Sequence, residues 1–281
     1  MKTRLLLFLA LFSLTTCATH SQELEPVEVA KHIFSRTGFA DLPHYSTGEY
    51  RGHPNGQDLP PTATTSFLLL GQTPTKAVVA MNVVDVKGIQ VDTYLHFQKD
   101  SVWKLSAFRS LAMTGMLAKM SEQLESFTPQ QVDQLLKSAA KDKEKHHLFS
   151  SRAEYEFMRG NTKLTIASDA ALVAHFTNNK ADFERIKAAG LQEISGKTTE
   201  DTQDQELAKP LEAVYRKLYI SSVRSGGDEF GNGLNFLIGG MVDNAVGYLY
   251  VKDKKDLPEM SPNDIIMLRE IGDGWYLYKT T

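Results

Sequence analysis

Two groups of short apolar segments, separated by a long stretch with a different periodicity, constrain this chain more than any other feature. The segments are rich in β-branched and aromatic residues and have the length of β-strands. The first group covers residues 67–70, 77–84, 91–97 and 102–108, and the second covers 218–224, 234–238, 245–251, 264–270 and 275–278. Turns as short as residues 99–101 join antiparallel neighbours. The sequence therefore predicts two antiparallel sheets, the first of them a simple meander.

Helical periodicity precedes and separates the two groups of strands. Residues 23–38 carry one apolar stripe behind Pro26, which suits a first helical turn. Apolar residues recur at helical spacing from Met113 to Leu124, and Thr128 opens a capping-box pattern. A further helix is predicted to begin after Ser168 and to end at Gly190. We therefore expect an α+β protein of two antiparallel-sheet-plus-helix modules, residues 22–111 and 168–281, joined by a helical connector at residues 112–167.

The two groups of strands resemble each other in order and spacing. In each, a strand that ends at Gly71 or Gly239 is followed by a second strand, a loop, a third strand and a tight turn. Each last strand opens with a tryptophan, Trp103 or Trp275, and the chain has no others. This similarity predicts a two-copy internal repeat in which both tryptophans occupy equivalent positions. The alternative is a coincidence between two ordinary meanders.

Composition excludes several classes of protein. An apolar content of 42% is ordinary for a folded soluble chain, which argues against a disordered chain and a polytopic membrane protein. Lys and Arg number 31 against 34 Asp and Glu, so the net charge is −3, whereas nucleic-acid-binding proteins usually carry a basic excess. We expect no nucleic-acid partner. A single cysteine allows no disulfide within the chain, so each module must be stabilised by its own core.

The amino-terminal residues predict export. Lys2 and Arg4 precede an apolar run at residues 5–14, which is typical of a secretory signal peptide and too short to span a bilayer. Cys17 follows, and the segment from Leu14 to Cys17 is similar to a bacterial lipobox, with Thr16 in place of the usual Gly, Ala or Ser. That similarity implies a signal peptide of residues 1–16, acyl chains on Cys17 and a membrane anchor in the cell envelope. The alternative is cleavage after residue 18 or 21, which gives a periplasmic or secreted protein.

Three segments carry a wider resemblance. Residues 102–111, 168–185 and 274–278 are similar to segments of uncharacterised bacterial envelope proteins. The helix-plus-sheet units also resemble the cystatin-like and nuclear-transport-factor-like α+β fold. Members of that fold range from enzymes with a cone-shaped pocket to protein-binding modules, so the resemblance implies an architecture and no particular activity.

Candidate catalytic groups are sparse. The sequence has no His-Glu-x-x-His, Cys-x-x-Cys, Walker or Gly-x-Ser-x-Gly motif. Alternation along one predicted strand places Asp92, Tyr94 and His96 on one face, where they could line a pocket and perform acid–base chemistry, or could simply form the solvated face of a sheet. His44, His53 and Asp58 cluster in a Gly- and Pro-rich loop with Tyr45 and Glu49, but their spacing matches no known metal site.

These observations favour binding over catalysis. An enzyme usually needs a nucleophile, a base and an orienting group placed together, and only the Asp92 face offers anything similar. Residues 77–84 are apolar at both alternating sets of positions, which predicts a strand covered on both sides or lining an apolar cavity. We therefore expect a non-catalytic module, without cofactor or metal, that binds an unidentified protein or a small apolar ligand. The alternative is a hydrolase or isomerase whose pocket is lined by Asp92, Tyr94 and His96.

Overall fold

The computed structural model describes residues 23–141, 147–197, 202 and 205–281. Over these residues the chain is an α+β protein with two antiparallel sheets, as predicted. The predicted signal peptide and Cys17 lie outside the described residues.

The first sheet is a four-stranded meander. Its strands, in both chain and spatial order, are β1 (Thr64–Gln72), β2 (Lys76–Val84), β3 (Gln90–Lys99) and β4 (Trp103–Arg109). A short helix, α1 (Pro26–Ile33), begins with Pro26 in its first turn and packs on one face of this sheet. Val29 and Ile33 of the helix join Val79, Leu95 and Trp103 of the sheet in one buried cluster. This cluster is the core of the first module.

Three helices occupy the predicted connector: α2 (Thr114–Ser126), α3 (Pro129–Lys141) and α4 (Arg152–Thr165). The capping box before α3 is confirmed, because Thr128 N–H donates to Gln131 Oε1 at 2.8 Å and Gln131 N–H donates to Thr128 Oγ1 at 3.2 Å. Leu124, Phe149 and Tyr155 form part of a small core of the connector's own. Among the described helices, none is long and apolar enough to cross a membrane.

The second module combines helices with a five-stranded sheet. Its described α-helices are α5 (Asp169–Asn178), α6 (Lys180–Ile194), α7 (Glu212–Lys217) and the one-turn α8 (Gly227–Phe230). The strands are β5 (Ser222–Ser225), β6 (Leu234–Met241), β7 (Asn244–Tyr250), β8 (Ile265–Gly272) and β9 (Trp275–Thr280), in the spatial order β5-β6-β7-β9-β8. Phe176 of α5 and Phe183 of α6 pack against Tyr248 and Trp275 at ring-centroid distances of 5.1–5.8 Å. These aromatic rings form the centre of the largest core.

The strand order shows that the expected equivalence of the tryptophans is wrong. Trp103 opens β4, the last strand of its sheet, whereas Trp275 opens β9, which lies between β7 and β8. The long connection after β7 carries β8 to the sheet edge, so β9 returns beside β7. The two indoles also differ: Trp275 Nε1 donates to Glu184 Oε1 at 2.7 Å, whereas Trp103 Nε1 has no acceptor among the described residues.

The middle strands of the first sheet, β2 and β3, are covered on both faces. Val79 and Met81 of β2 point toward α1, whereas Val78 of the same strand, with Tyr94 of β3, joins the core of the second module. The prediction that residues 77–84 form a strand covered on both sides is therefore confirmed. The second module packs against the face of the first sheet opposite to α1, and the contact between them is the seam of the molecule.

Candidate functional site

The three predicted site residues lie at this seam. Asp92, Tyr94 and His96 do share one face of β3, but the face is neither solvated nor open as a pocket at Tyr94 and His96, because the second module covers it. Tyr94 is fully buried and His96 is 4% exposed. Each of the three side chains makes a hydrogen bond to the second module.

Asp92 connects the first sheet to the start of α5. Its Oδ2 accepts a hydrogen bond from the Asp169 backbone N–H at 2.7 Å. Its Oδ1 accepts hydrogen bonds from Asn82 Nδ2 at 2.8 Å and Gln90 Nε2 at 3.3 Å. A carboxylate at the first turn of a helix is stabilised by the helix dipole as well as by the donors. The Asp92 carboxylate therefore accepts three N–H hydrogen bonds, one of them from the second module.

The Tyr94 hydroxyl contacts a buried ion pair between Asp169 and Lys279. The hydroxyl donates to Asp169 Oδ1 at 2.9 Å, and Lys279 Nζ donates to the same oxygen at 2.7 Å. The side chains of Lys279 and Asp169 are only 5% and 4% exposed. Burial, together with the negative charges of Asp169 and Asp92, raises the pKa of Tyr94 well above its usual value. Tyr94 therefore stays protonated and serves as a hydrogen-bond donor, not as a base.

His96 is bound to a backbone carbonyl of the second module. Its Nε2 lies 3.1 Å from the Ile266 carbonyl oxygen and must donate, because a carbonyl only accepts. Burial lowers the pKa of His96 to about 4. The imidazole is therefore neutral near neutral pH, and its Nε2 proton is already used. Among the groups of this face, the geometry does not pair His96 with a nucleophile or a carboxylate.

Two residues of this cluster were missed by the sequence analysis. Asp169 is the first residue of α5, next to the predicted N-cap Ser168, and Lys279 follows the predicted strand 275–278. The Ser168 cap is confirmed, because its hydroxyl accepts from Ala171 N–H at 3.3 Å. A lysine directly after the aromatic and aliphatic strand residues 275–278 was the available signal, since a lysine has to be paired when it is buried.

The Gly- and Pro-rich loop of the first module does not gather its predicted ligands. His53 Nδ1 lies 2.8 Å from Asp58 Oδ2, whereas Glu49 pairs with Arg109 at 2.6 Å and His44 packs edge-on against Tyr45. Within the described ranges no group of three or more His, Cys, Asp or Glu side chains could hold a metal ion.

An apolar cavity of about 260 Å³ opens at one end of the seam. The end of β1, the start of β2, the loop before β8 and strands β8 and β9 surround it. Its apolar wall includes Leu70, Val78, Leu257, Met260, Leu268 and Tyr276. Both modules therefore contribute to the wall, and the cavity depends on how they are packed together.

Polar groups are confined to the rim of the apolar cavity, where they are paired. Lys76 Nζ lies 2.7 Å from Glu259 Oε1, and Lys254 Nζ lies 2.8 Å from Glu270 Oε2. These side chains are exposed, so the ion pairs add little stability, but they leave no unpaired charge among the described residues at the entrance. An apolar interior with a few polar groups at its edge is the usual arrangement of a small-molecule site.

Gly71 lies in the wall of the apolar cavity beside Met260. A Cβ added at Gly71 would lie 2.8 Å from the Met260 methyl group, so the absence of a side chain leaves room for it. The unbranched thioether of methionine adapts its shape to different apolar neighbours. This part of the wall can therefore adjust to an occupant.

No family model matches the chain, and comparison with curated proteins and with solved structures found no significant match either.

Proposed function

We propose that this protein binds a small, largely apolar molecule in the apolar cavity and does not transform it. The observation that carries the proposal is the cavity itself, whose wall is formed by apolar side chains of both modules and whose charged groups are paired at the rim. Transferring apolar ligand surface out of water into such a wall supplies the binding free energy.

The groups around the cavity support binding without turnover. Its wall offers apolar side chains, while Asp92, Tyr94 and His96 are engaged elsewhere along the seam in hydrogen bonds between the modules. A general base must reach the proton it removes and hold a suitable pKa. Tyr94 and His96 meet neither condition for a ligand in the apolar cavity.

We also propose that the protein is exported to the bacterial cell envelope and anchored through Cys17. The charges and apolar run of residues 2–14, followed by the only cysteine, support this. Cys17→Ser should release the protein from the membrane fraction into the soluble envelope fraction. A wild-type protein that is already soluble would contradict the anchor.

A homologous series of n-alkanols tests the binding proposal. We expect butanol, hexanol, octanol and decanol to bind with increasing affinity, because each buried methylene contributes about 0.8 kcal/mol, or about fourfold in Kd. The gain should stop once the cavity is filled. Chemical-shift titration of the wild-type protein measures each Kd. A flat series would contradict the proposal.

Two neighbouring leucines provide a matched pair of variants. Leu70→Gln places an amide in the wall of the apolar cavity and should weaken octanol binding by about tenfold or more, because the amide would be desolvated without a partner. Leu69→Gln makes the same change at the adjacent residue, which is 41% exposed and lies outside the wall, and should leave octanol binding unchanged. Equal weakening by both variants would place the bound alkanol elsewhere.

A further inference from the structure

A second cavity, the polar cleft, lies along the seam toward the start of β1. Its volume is about 370 Å³, larger than that of the apolar cavity. Its polar wall consists of Ser66, Asn82, Gln90, Asp92, Asp169 and Arg269. The first four belong to the first sheet, Asp169 opens α5, and Arg269 belongs to β8. Both modules therefore contribute polar side chains to one cleft.

The two carboxylates of the polar cleft already have partners. Asp92 accepts hydrogen bonds from three N–H groups, as described above. Asp169 accepts from the Tyr94 hydroxyl and forms the buried ion pair with Lys279. Neither carboxylate forms an ion pair with Arg269.

Arg269 differs from the other charged groups of the polar cleft. It is half-buried, and among the described residues no hydrogen bond or ion pair engages its guanidinium group. A guanidinium group carries five N–H donors in a planar fork, and removing them from water without acceptors costs free energy. Arg269 therefore presents free N–H donors to a cleft in which both described carboxylates already accept hydrogen bonds from other groups.

We propose that the polar cleft binds a small organic monocarboxylate, held by the guanidinium fork of Arg269. Carboxylate oxygens match this fork in a bidentate pair. The charges of Asp92, Asp169, Lys279 and Arg269 sum to zero, so a single negative charge is tolerated, whereas a dianion would be repelled by the two aspartates. Ser66, Asn82 and Gln90 supply hydroxyl and amide groups for the rest of the ligand. This site is separate from the apolar cavity and does not depend on the function proposed for it.

Arginine side-chain NMR of the wild-type protein tests this site directly. Sodium glycolate, added at constant ionic strength, should shift the Arg269 Nε–Hε resonance with saturation and a Kd on the order of millimolar, as expected for so small a ligand. Arg224, an exposed arginine on β5, is the internal control. Shifts of equal size at both arginines, or no saturation at Arg269, would overturn the proposal.

Arginine variants and a second anion, sulfate, test whether Arg269 binds the carboxylate. Arg269→Gln should weaken glycolate binding at least tenfold, Arg269→Lys should retain a weaker site because a point charge replaces the fork, and Arg224→Gln should bind as the wild type does. If Arg269→Gln fails to fold, the wild-type titration still decides. Sodium sulfate should bind more weakly than glycolate at Arg269, and preferential sulfate binding would overturn the assignment to a carboxylate.

Discussion

Four buried polar residues fix how the two modules meet. Tyr94 and Lys279 converge on Asp169, and His96 donates to the Ile266 carbonyl group. A buried ion pair often contributes little net stability compared with well-packed apolar residues, because both charges lose their hydration. Its directional hydrogen bonds nevertheless specify one arrangement of the partners. At the residue scale, we therefore interpret this cluster as a positioning device for the walls of both cavities.

The buried imidazole predicts a loss of stability in acid. In the folded protein the pKa of His96 is lowered to about 4 from 6.5, so the unfolded state binds a proton first as the pH falls. Stability from the neutral imidazole is complete above pH 6.5 and is lost between about pH 6.5 and pH 4. The shift corresponds to about 3 kcal/mol. Urea unfolding of the wild type across this range measures the loss.

Replacement of His96 separates its contribution from that of other groups. His96→Gln can still donate to the Ile266 carbonyl group but cannot be protonated, so its stability should fall less steeply between pH 6.5 and pH 4. Burial also lowers the pKa of His175, so part of the loss should remain. The control His44→Gln removes an exposed imidazole and should keep the wild-type slope. An unchanged slope for His96→Gln would contradict the account.

The sequence predicted the face of these residues but not their surroundings. Alternation along β3 predicted that Asp92, Tyr94 and His96 share one face. The structure agrees, because all three side chains make hydrogen bonds to the second module. Their environment depends on residues far away in the chain, since Asp169 lies 75 positions after Tyr94 and 110 positions before Lys279. Local periodicity carries no information about such pairings, and the same holds for the free guanidinium group of Arg269.

At the element scale, a glycine inside α4 has a packing role. Gly160 lies in the interior of α4, where glycine costs about 1 kcal/mol relative to alanine. A Cβ at this position would lie 2.0 Å from Tyr219 Cε1, so the tyrosine ring packs directly on the helix backbone. Tyr219 has a φ of +59°, and Asn161 Nδ2 donates to its carbonyl oxygen at 2.8 Å. Asn161, which follows Gly160, thus holds Tyr219 in the turn that places its ring against the Gly160 backbone.

We expect Gly160→Ala to lower the stability of the wild type but to raise the stability of a variant that lacks the Tyr219 ring. Gly160→Ala should destabilise the wild type by about 1–3 kcal/mol through overpacking, despite the better helix propensity of alanine. In a Tyr219→Gly background, where the ring is absent, the same substitution should stabilise the protein by up to about 1 kcal/mol. Urea unfolding of the four proteins measures both differences. Stabilisation in both backgrounds would show that the ring does not pack on Gly160.

Strand and helix boundaries reveal where local patterns were overridden. The apolar segment 218–224 predicted a strand, but Leu218 ends α7, Tyr219 turns, and β5 begins only at Ser222. Gly190 predicted a helix end, yet α6 continues to Ile194. Gly190 lies instead against the second sheet, where a Cβ would be 3.3 Å from Leu234 Cδ1. In both places tertiary packing decided the outcome, while the strongly periodic strands formed as predicted.

At the scale of the whole molecule, the seam unites the two modules. Arg109 of β4 donates to the Pro262 carbonyl oxygen at 2.6 Å, and Val78 and Tyr94 extend the core of the second module into the first sheet. The apolar cavity and the polar cleft both lie along this seam. Binding at either place should therefore stabilise the packing of the modules, because a ligand that binds only the folded protein favours it.

Intermolecular NOEs can show whether an apolar molecule binds between the two modules. With octanol bound to methyl-labelled protein, we predict NOEs from the octanol chain to the methyl groups of Met260 and Leu70 on opposite modules. Such NOEs would place the ligand within the apolar cavity. Saturable octanol binding with NOEs only to methyl groups outside this wall would contradict the account.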